Sequence, residues 1–154
     1  MEDKKILLIG NPNSGKSTLF NQLTGVFQKI ANYPGVTTEK KSGKLNIEGK
    51  NFEIIDLPGC YSLYPNSLDE KVVIDELVNN RSDLIVFVAD ACNLQRSLLL
   101  YSQIADCYLP NIVIINMADE LERKGENIDI EFLSKELGVP VFLVNSKKGH
   151  GVDK

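Results

Sequence analysis

Cysteine is scarce in this chain of 154 residues. Cys60, Cys92 and Cys107 are too few and too scattered for a disulfide framework, and no C-x-x-C pair offers metal-ligand spacing. They read as free thiols in a reducing compartment. Long apolar runs are also lacking: the longest, Leu84 to Ala89, falls far short of the roughly 18 residues that span a bilayer. The first apolar stretch, Ile6 to Ile9, runs straight into a glycine-rich loop and is too short for the core of a secretory signal. The sequence therefore predicts a soluble chain that is not exported. Basic residues are not in excess, since 17 Lys and Arg stand against 21 Asp and Glu for a formal net charge of -4. That balance argues against non-specific binding to nucleic acid or anionic lipid. The one histidine, His150, reads as an exposed loop residue, and with such dispersed cysteines it forms no metal cage. What the chain does have is the balance of one globular domain over residues 1–154, with 43% hydrophobic and 25% charged residues.

Five short β-branched runs read as strands: Lys5 to Ile9, Phe52 to Ile55, Leu84 to Ala89, Ile112 to Ile115 and Pro140 to Val144. Helical spacing occupies Thr18 to Leu23, Leu68 to Val78, Gln95 to Ala105 and Ile130 to Leu137, the last stopped by Gly138 and Pro140. Alternation of this kind implies βαβ crossovers and an α/β fold with a mostly parallel sheet covered on both faces. A further strand, Lys41 to Ile47, joins the Phe52 strand through a short hairpin-like link and makes that edge antiparallel. Six strands are expected. After the last of them the chain runs Ser146 to Lys154 and stops where a covering helix is expected, which suggests a piece of a longer protein.

The strongest motif follows the first strand. Gly10-Asn11-Pro12-Asn13-Ser14-Gly15-Lys16-Ser17 fits G-x-x-x-x-G-K-[ST] and opens a helix through Thr18. Backbone N–H groups of such a loop wrap phosphates, its glycines allow close approach, and the helix N-terminus adds the positive end of its dipole. Lys16 then reaches the β- and γ-phosphates, and the Ser17 hydroxyl ligands Mg²⁺. Asp56-Leu57-Pro58-Gly59 follows the Phe52 strand, so Asp56 holds the Mg²⁺ and the Gly59 N–H faces the γ-phosphate. Between the two motifs, residues 32–38 form a turn-rich stretch with few core candidates and read as a mobile loop. Thr37 is the residue expected to complete the Mg²⁺ shell and contact the γ-phosphate, with Thr38 as the neighbour able to replace it.

Two further loops meet at a base pocket. Asn116-Met117-Ala118-Asp119 follows one strand and Asn145-Ser146-Lys147-Lys148 another. A carboxylate accepts hydrogen bonds from the N1–H and N2 amino group of guanine, whereas adenine offers neither donor there, so Asp119 selects guanine. Met117 stands where many GTPases have lysine and offers a flexible thioether chain to the base, and the Ser146–Lys147 backbone is expected at guanine O6. Cys60 occupies the place after Gly59 where many GTPases carry a water-orienting Gln. A thiol is a poor substitute, so slow turnover is expected, and Cys60 reads as a packing residue in preference to a redox one. Asp90-Ala91-Cys92-Asn93 reads as a helix start, not as a metal patch.

Five segments are more particular: Gly10 to Thr24 (GNPNSGKSTLFNQLT), Tyr33 to Thr37 (YPGVT), Asp56 to Leu63 (DLPGCYSL), Asp90 to Arg96 (DACNLQR) and Leu137 to Pro140 (LGVP). Together they resemble the G domain of the prokaryotic ferrous-iron transport protein B family, FeoB, over essentially the whole chain. The resemblance implies a P-loop NTPase of the Ras-like kind that binds GTP and GDP with Mg²⁺. It also implies a parent protein with a helical regulatory domain and a transmembrane domain that moves Fe²⁺ across the cytoplasmic membrane, this part lying on the cytoplasmic face. A homo-oligomer through the membrane domain is compatible with it, and nucleic acid is not an expected partner. By position the family's nucleotide residues fall on Asn13, Lys16, Ser17, Thr37, Asp56, Gly59, Asn116 and Asp119, with Asn13 as the residue that helps hold K⁺ beside the phosphates. Tyr33 stands where the family often has Trp, and Lys147 where a small residue is common. The rival reading is a free-standing ribosome- or RNA-associated GTPase, which should bring an appended basic domain.

Overall fold

The computed structural model describes residues 3–25 and 28–154. Its strands are β1 Lys4–Gly10, β2 Gln28–Asn32, β3 Glu39–Ile47, β4 Lys50–Asp56, β5 Leu84–Asp90, β6 Asn111–Asn116 and β7 Val141–Leu143. Its helices are α1 Lys16–Thr24, α2 Leu68–Asn79, α3 Leu94–Ala105, α4 Ala118–Arg123 and α5 Ile130–Leu137. The strands form one sheet in the order β2-β3-β4-β1-β5-β6-β7. From β4 to β7 every neighbouring pair is parallel, whereas β3 runs antiparallel to both β4 and β2. Among the described residues the sheet therefore has seven strands, not the six expected. The extra strand, β2, forms the edge beyond β3, and four of its five residues are exposed. A strand exposed on both faces has no alternation by which to be read.

Period-2 alternation divides the core. Leu7 and Ile9 of β1 join Ile55 and Phe87 in the larger cluster, packed under Val73 and Leu77 of α2 and Leu100 and Ile104 of α3. Ile6 and Leu8 point the other way, to Ile54, Val86 and Val88 and to Leu19 and Phe20 of α1. The helices start where local chemistry allows. At α2 the Ser67 hydroxyl accepts from the Glu70 N–H at 3.1 Å while the Glu70 carboxylate accepts from the Ser67 N–H at 3.2 Å, a reciprocal cap of the free N-terminal donors. At α5 the Asp129 carboxylate accepts from the Phe132 N–H at 2.9 Å, and Gly138 at φ 69° ends the helix. Asp90 does the same for the turn after β5, accepting from the Cys92 N–H and the Asn93 amide, both at 2.8 Å, in keeping with a helix start. Among the described residues no helix is long and apolar enough to cross a membrane.

The segment 32–38 is turn-rich with few core residues, as its composition predicts, but it has one aromatic anchor in the core. Tyr33 is buried in the larger cluster and Val36 packs against it. The Tyr33 N–H donates to the Thr38 carbonyl at 3.0 Å and the Val36 N–H to the Tyr33 carbonyl at 3.2 Å, so the segment is a tight turn hung on one aromatic anchor. An isolated aromatic beside Pro34 and Gly35 carries no periodicity that would announce its burial.

Candidate functional site

The carboxyl ends of β1, β4 and β6 lie along one rim of the sheet, where ligands of open α/β sheets bind. The Gly10–Ser17 loop leaves β1 and turns into α1, and its residues Asn11, Asn13, Lys16, Ser17 and Thr18 line a cavity together with Gly59 and Asp69. Asn13 adopts φ 63°, a left-handed conformation that asparagine tolerates, and Gly15 adopts φ 78°. A side chain at Gly15 would collide with the Asn116 amide. Gly59 is equally constrained, because a Cβ there would lie 2.9 Å from Pro12 Cα. The glycine of the second loop thus lets it close directly upon the first. Two hydrogen bonds fasten the closure: Asn11 Nδ2 donates to the Cys60 carbonyl at 3.0 Å, and the Cys60 N–H to the Gly10 carbonyl at 3.2 Å.

Lys16 is 7% exposed and its ammonium group donates to Asp56 Oδ1 and, at 2.6 Å, to the Leu57 carbonyl. Asp56 is itself 6% exposed, so this is a buried ion pair between the two loops. Asn11 Oδ1 and Ser14 Oγ are buried without a hydrogen-bond partner among the described residues. Such atoms beside a narrow loop fit a ligand that supplies donors or bridges water. Ser17 and Asn13 are exposed at the cavity wall. Thr37 is also exposed and is not among the residues lining this cavity, while Thr38 donates its hydroxyl to Asp69 at 3.2 Å.

A second cavity adjoins the first, lined by Gly15, Thr18, Asn116, Met117, Asp119, Asn145, Ser146 and Lys147, so Gly15 and Thr18 belong to both. Asn116 is the joint. Its Nδ2 donates to the Ser14 carbonyl at 3.0 Å and to Ser146 Oγ at 2.8 Å, and its Oδ1 accepts from the Ser146 N–H at 3.0 Å. Three loops distant in sequence are held by one buried amide. Asp119 lies in the first turn of α4 and pairs with Arg123, one helical turn on, at 3.2 Å. Desolvation acts to raise its carboxyl, but hydrogen bonds from Arg123 and from backbone N–H groups hold it below the usual range. It is thus a carboxylate at neutral pH, an acceptor with no proton to donate. Met117, at φ 65°, is the cap residue just before α4, and Lys147 is exposed.

Two features of this rim belong to no motif in the sequence. Asp69 lines the phosphate-side cavity, and the Ser67–Glu70 capping pattern is the sequence signal that sets it at a helix start after the Gly59 loop. The bracing role of Asn116 depends on Ser14, 102 residues away, and no local signal reports it.

Cys60 is 3% exposed within the larger core cluster, as expected for a packing residue. Burial, with the Glu70 and Asp69 charges adding and the Lys16 charge opposing, pushes its thiol up to about 11. Alkylation of the folded protein at mildly alkaline pH should therefore modify exposed Cys107 before Cys60, by on the order of a hundredfold in rate, as read by peptide mass spectrometry. Equal labelling would mean that the Asp56–Cys60 loop opens readily.

The family model for ferrous iron transport protein B matches residues 4–154. The Fe(2+) transporter FeoB of Leptospira biflexa is 42% identical over 155 residues, which cover 100% of this chain and 22% of that protein. The chain thus spans about a fifth of the length of the curated relatives it matches. Among solved structures, the G domain of T. maritima FeoB superposes with a TM-score of 0.92 at 41% identity, covering 99% of this chain and 93% of that one. The cytosolic domain of the same transporter in a GDP form superposes at 0.95 with 42% identity, covering 99% and 60%. With family model, relatives and solved structures in agreement, the chain belongs to the ferrous iron transport protein B family and has the fold of its G domain.

Proposed function

We propose that this chain binds GTP and GDP, prefers guanine through Asp119, and hydrolyses GTP to GDP and phosphate. The observation that carries this reading is that the two cavities share Gly15 and Thr18, with the Gly10–Ser17 loop at one end and the Asp119 carboxylate, paired on one side with Arg123, at the other. The GDP form of a 42% identical relative supports it. In this reading the backbone of Gly10, Asn11, Asn13, Ser14, Gly15 and Thr18 and the start of α1 surround the phosphates, where N–H groups and the helix dipole favour negative charge. Lys16 leaves Asp56 for the β- and γ-phosphates, and that exchange frees the Asp56 carboxylate. Ser17, Asp56 and, once its turn moves inward, Thr37 are hard oxygen donors of the kind Mg²⁺ selects, and the ion supplies positive charge against the phosphate oxygens. The Gly59 N–H faces the γ-phosphate. At the other end Asp119 accepts from guanine N1–H and N2, Met117 and Asn116 border the base, and the Ser146–Lys147 backbone approaches O6.

The buried neutral thiol of Cys60 neither accepts a proton nor orients water, so slow turnover is proposed. Asn13 offers a side-chain oxygen at the cavity wall for K⁺, whose charge there favours the transition state. For the whole parent protein we propose Fe²⁺ as cargo, with regulatory and membrane-spanning parts outside this sequence and this domain on the cytoplasmic side. That part of the reading rests on family membership.

Titration with fluorescent GTP, GDP and ATP analogues in Mg²⁺ tests the reading. Wild type should prefer guanine, and Asp119→Ala should lose that preference by roughly thirtyfold, as expected when hydrogen bonds to a charged acceptor are removed. Binding blind to the base in the wild type would sink the assignment. GTP turnover faster in K⁺ than in Na⁺ is the expected result for Asn13, and equal rates would remove the ion from the reading.

A further inference from the structure

The inner face of α2 carries a charge that the nucleotide cleft does not use. Glu76 is 4% exposed, and burial of a carboxylate is unfavourable unless something is gained from its partners. Its ion-pair partner comes from the start of β3, just after the segment around Thr37. Lys40 Nζ lies 3.7 Å from Glu76 Oε1 and 5.5 Å from the centroid of the Tyr33 ring. The Tyr33 hydroxyl and Glu76 Oε2 are both buried with no hydrogen-bond partner among the described residues. Burial pushes the Tyr33 hydroxyl well above the ordinary phenol range, with the Glu76 charge next and Asp56 after it, so phenol and carboxylate lie within electrostatic reach. A second tie joins the same surfaces: Thr38 donates to Asp69 at 3.2 Å. Asp69 and Glu76 are two helical turns apart on α2 and therefore share a face, with buried Val72 and Val73 between them.

We propose that Glu76 is a positioning residue: with Asp69 it fastens the 33–38 turn to α2, so that Thr37 and the helix leaving the Asp56–Gly59 loop move as one body. This rests on the GTPase reading for its consequence, though not for the tie itself. Asp69 lines the phosphate-side cavity, so α2 touches the cleft at one end and holds the Thr37 turn along its length. A change at the γ-phosphate that shifts the Gly59 loop would then reach Thr37 through the helix as well as through the ligand. Loosening the tie should leave the loop around Lys16 intact and impair only what requires Thr37 to be in place.

Hydrogen exchange, nucleotide affinity and single-turnover hydrolysis, measured on Glu76→Gln, Tyr33→Phe and the double variant, test this. Glu76→Gln keeps the side-chain volume and removes the charge. It should speed exchange of the Tyr33 and Val36 amides about tenfold in nucleotide-free protein, the expected loss for one weakened local tie. The hydrolysis rate constant should fall by a similar factor while GDP affinity stays within about twofold. The double variant should be little worse than the more affected single variant, as for two groups that face the same Lys40 side chain. Unchanged exchange in Glu76→Gln, exchange raised evenly through β1 and β5 as well, or simply additive effects would each overturn the proposal. Should wild type neither bind nor hydrolyse GTP, the functional reading falls while the exchange result still decides the tie.

Discussion

Replacing Lys16 with alanine is expected to abolish measurable nucleotide binding and also to lower the stability of the nucleotide-free protein. The first effect follows from losing the cation that faces the phosphates, a loss of about three orders of magnitude in affinity when a charge-assisted contact at a desolvated site is removed. The second follows from the ion pair. With Lys16 gone, Asp56 at 6% exposure loses the cation paired with it, and breaking a buried pair by removing one partner costs about 3–5 kcal/mol. For a domain of this size that corresponds to a fall in Tm of roughly 10 °C. A double variant separates the two effects. Lys16→Met with Asp56→Asn removes both charges, so its Tm should recover most of the loss while its affinity stays lost. Recovery of binding together with stability, or no change in Tm for Lys16→Ala, would contradict the pairing.

The second large effect belongs to Asn116. Alanine there deletes three hydrogen bonds at once and leaves the Ser14 carbonyl and the Ser146 N–H without the partner they have in the folded site. Allowing about 1–1.5 kcal/mol for each bond gives about 3–4 kcal/mol, shared between stability and affinity. GDP binding weakened by about two orders of magnitude with a Tm lowered by several degrees is the expected outcome. The two ends of the cleft should weaken together. Guanosine, which lacks phosphates, and inorganic pyrophosphate, which lacks the base, should each bind worse to Asn116→Ala than to wild type. Loss of base binding alone would mean that Asn116 serves one loop and does not brace both.

Much of this site is legible in the amino-acid sequence, for an identifiable reason. The Gly10–Ser17 loop, Asp56, Asn116 and Asp119 each follow an apolar β-branched run, and in a parallel sheet such runs must end at one rim. The strands at β5 and β6 match the expected bounds to within a residue at either end, because both faces are buried and the apolar run is unbroken. The features that sequence does not announce lie where burial leaves no pattern. Edge strand β2 is polar and exposed. Helix α4 is six residues long with Leu121 as its buried member, too short for a helical period to register. Tyr33 enters the core from within a turn, and Glu76 is an acidic residue on the inner face of a helix, against the usual code of polar outside. Motif spacing locates chemistry at strand ends; it does not report which side chains hold those ends to one another.

The Asn116 joint also sets an order of events as the chain is made. The phosphate loop is complete by residue 17, yet one of its carbonyls is satisfied by residue 116, whose own amide awaits Ser146. During synthesis the nascent chain therefore carries a finished motif long before a finished cleft, since contacts so distant in sequence close late. Release of the last strand from the ribosome, not emergence of the glycine-rich loop, becomes the moment at which nucleotide first gains a place to bind and can begin to stabilise the folded domain by mass action.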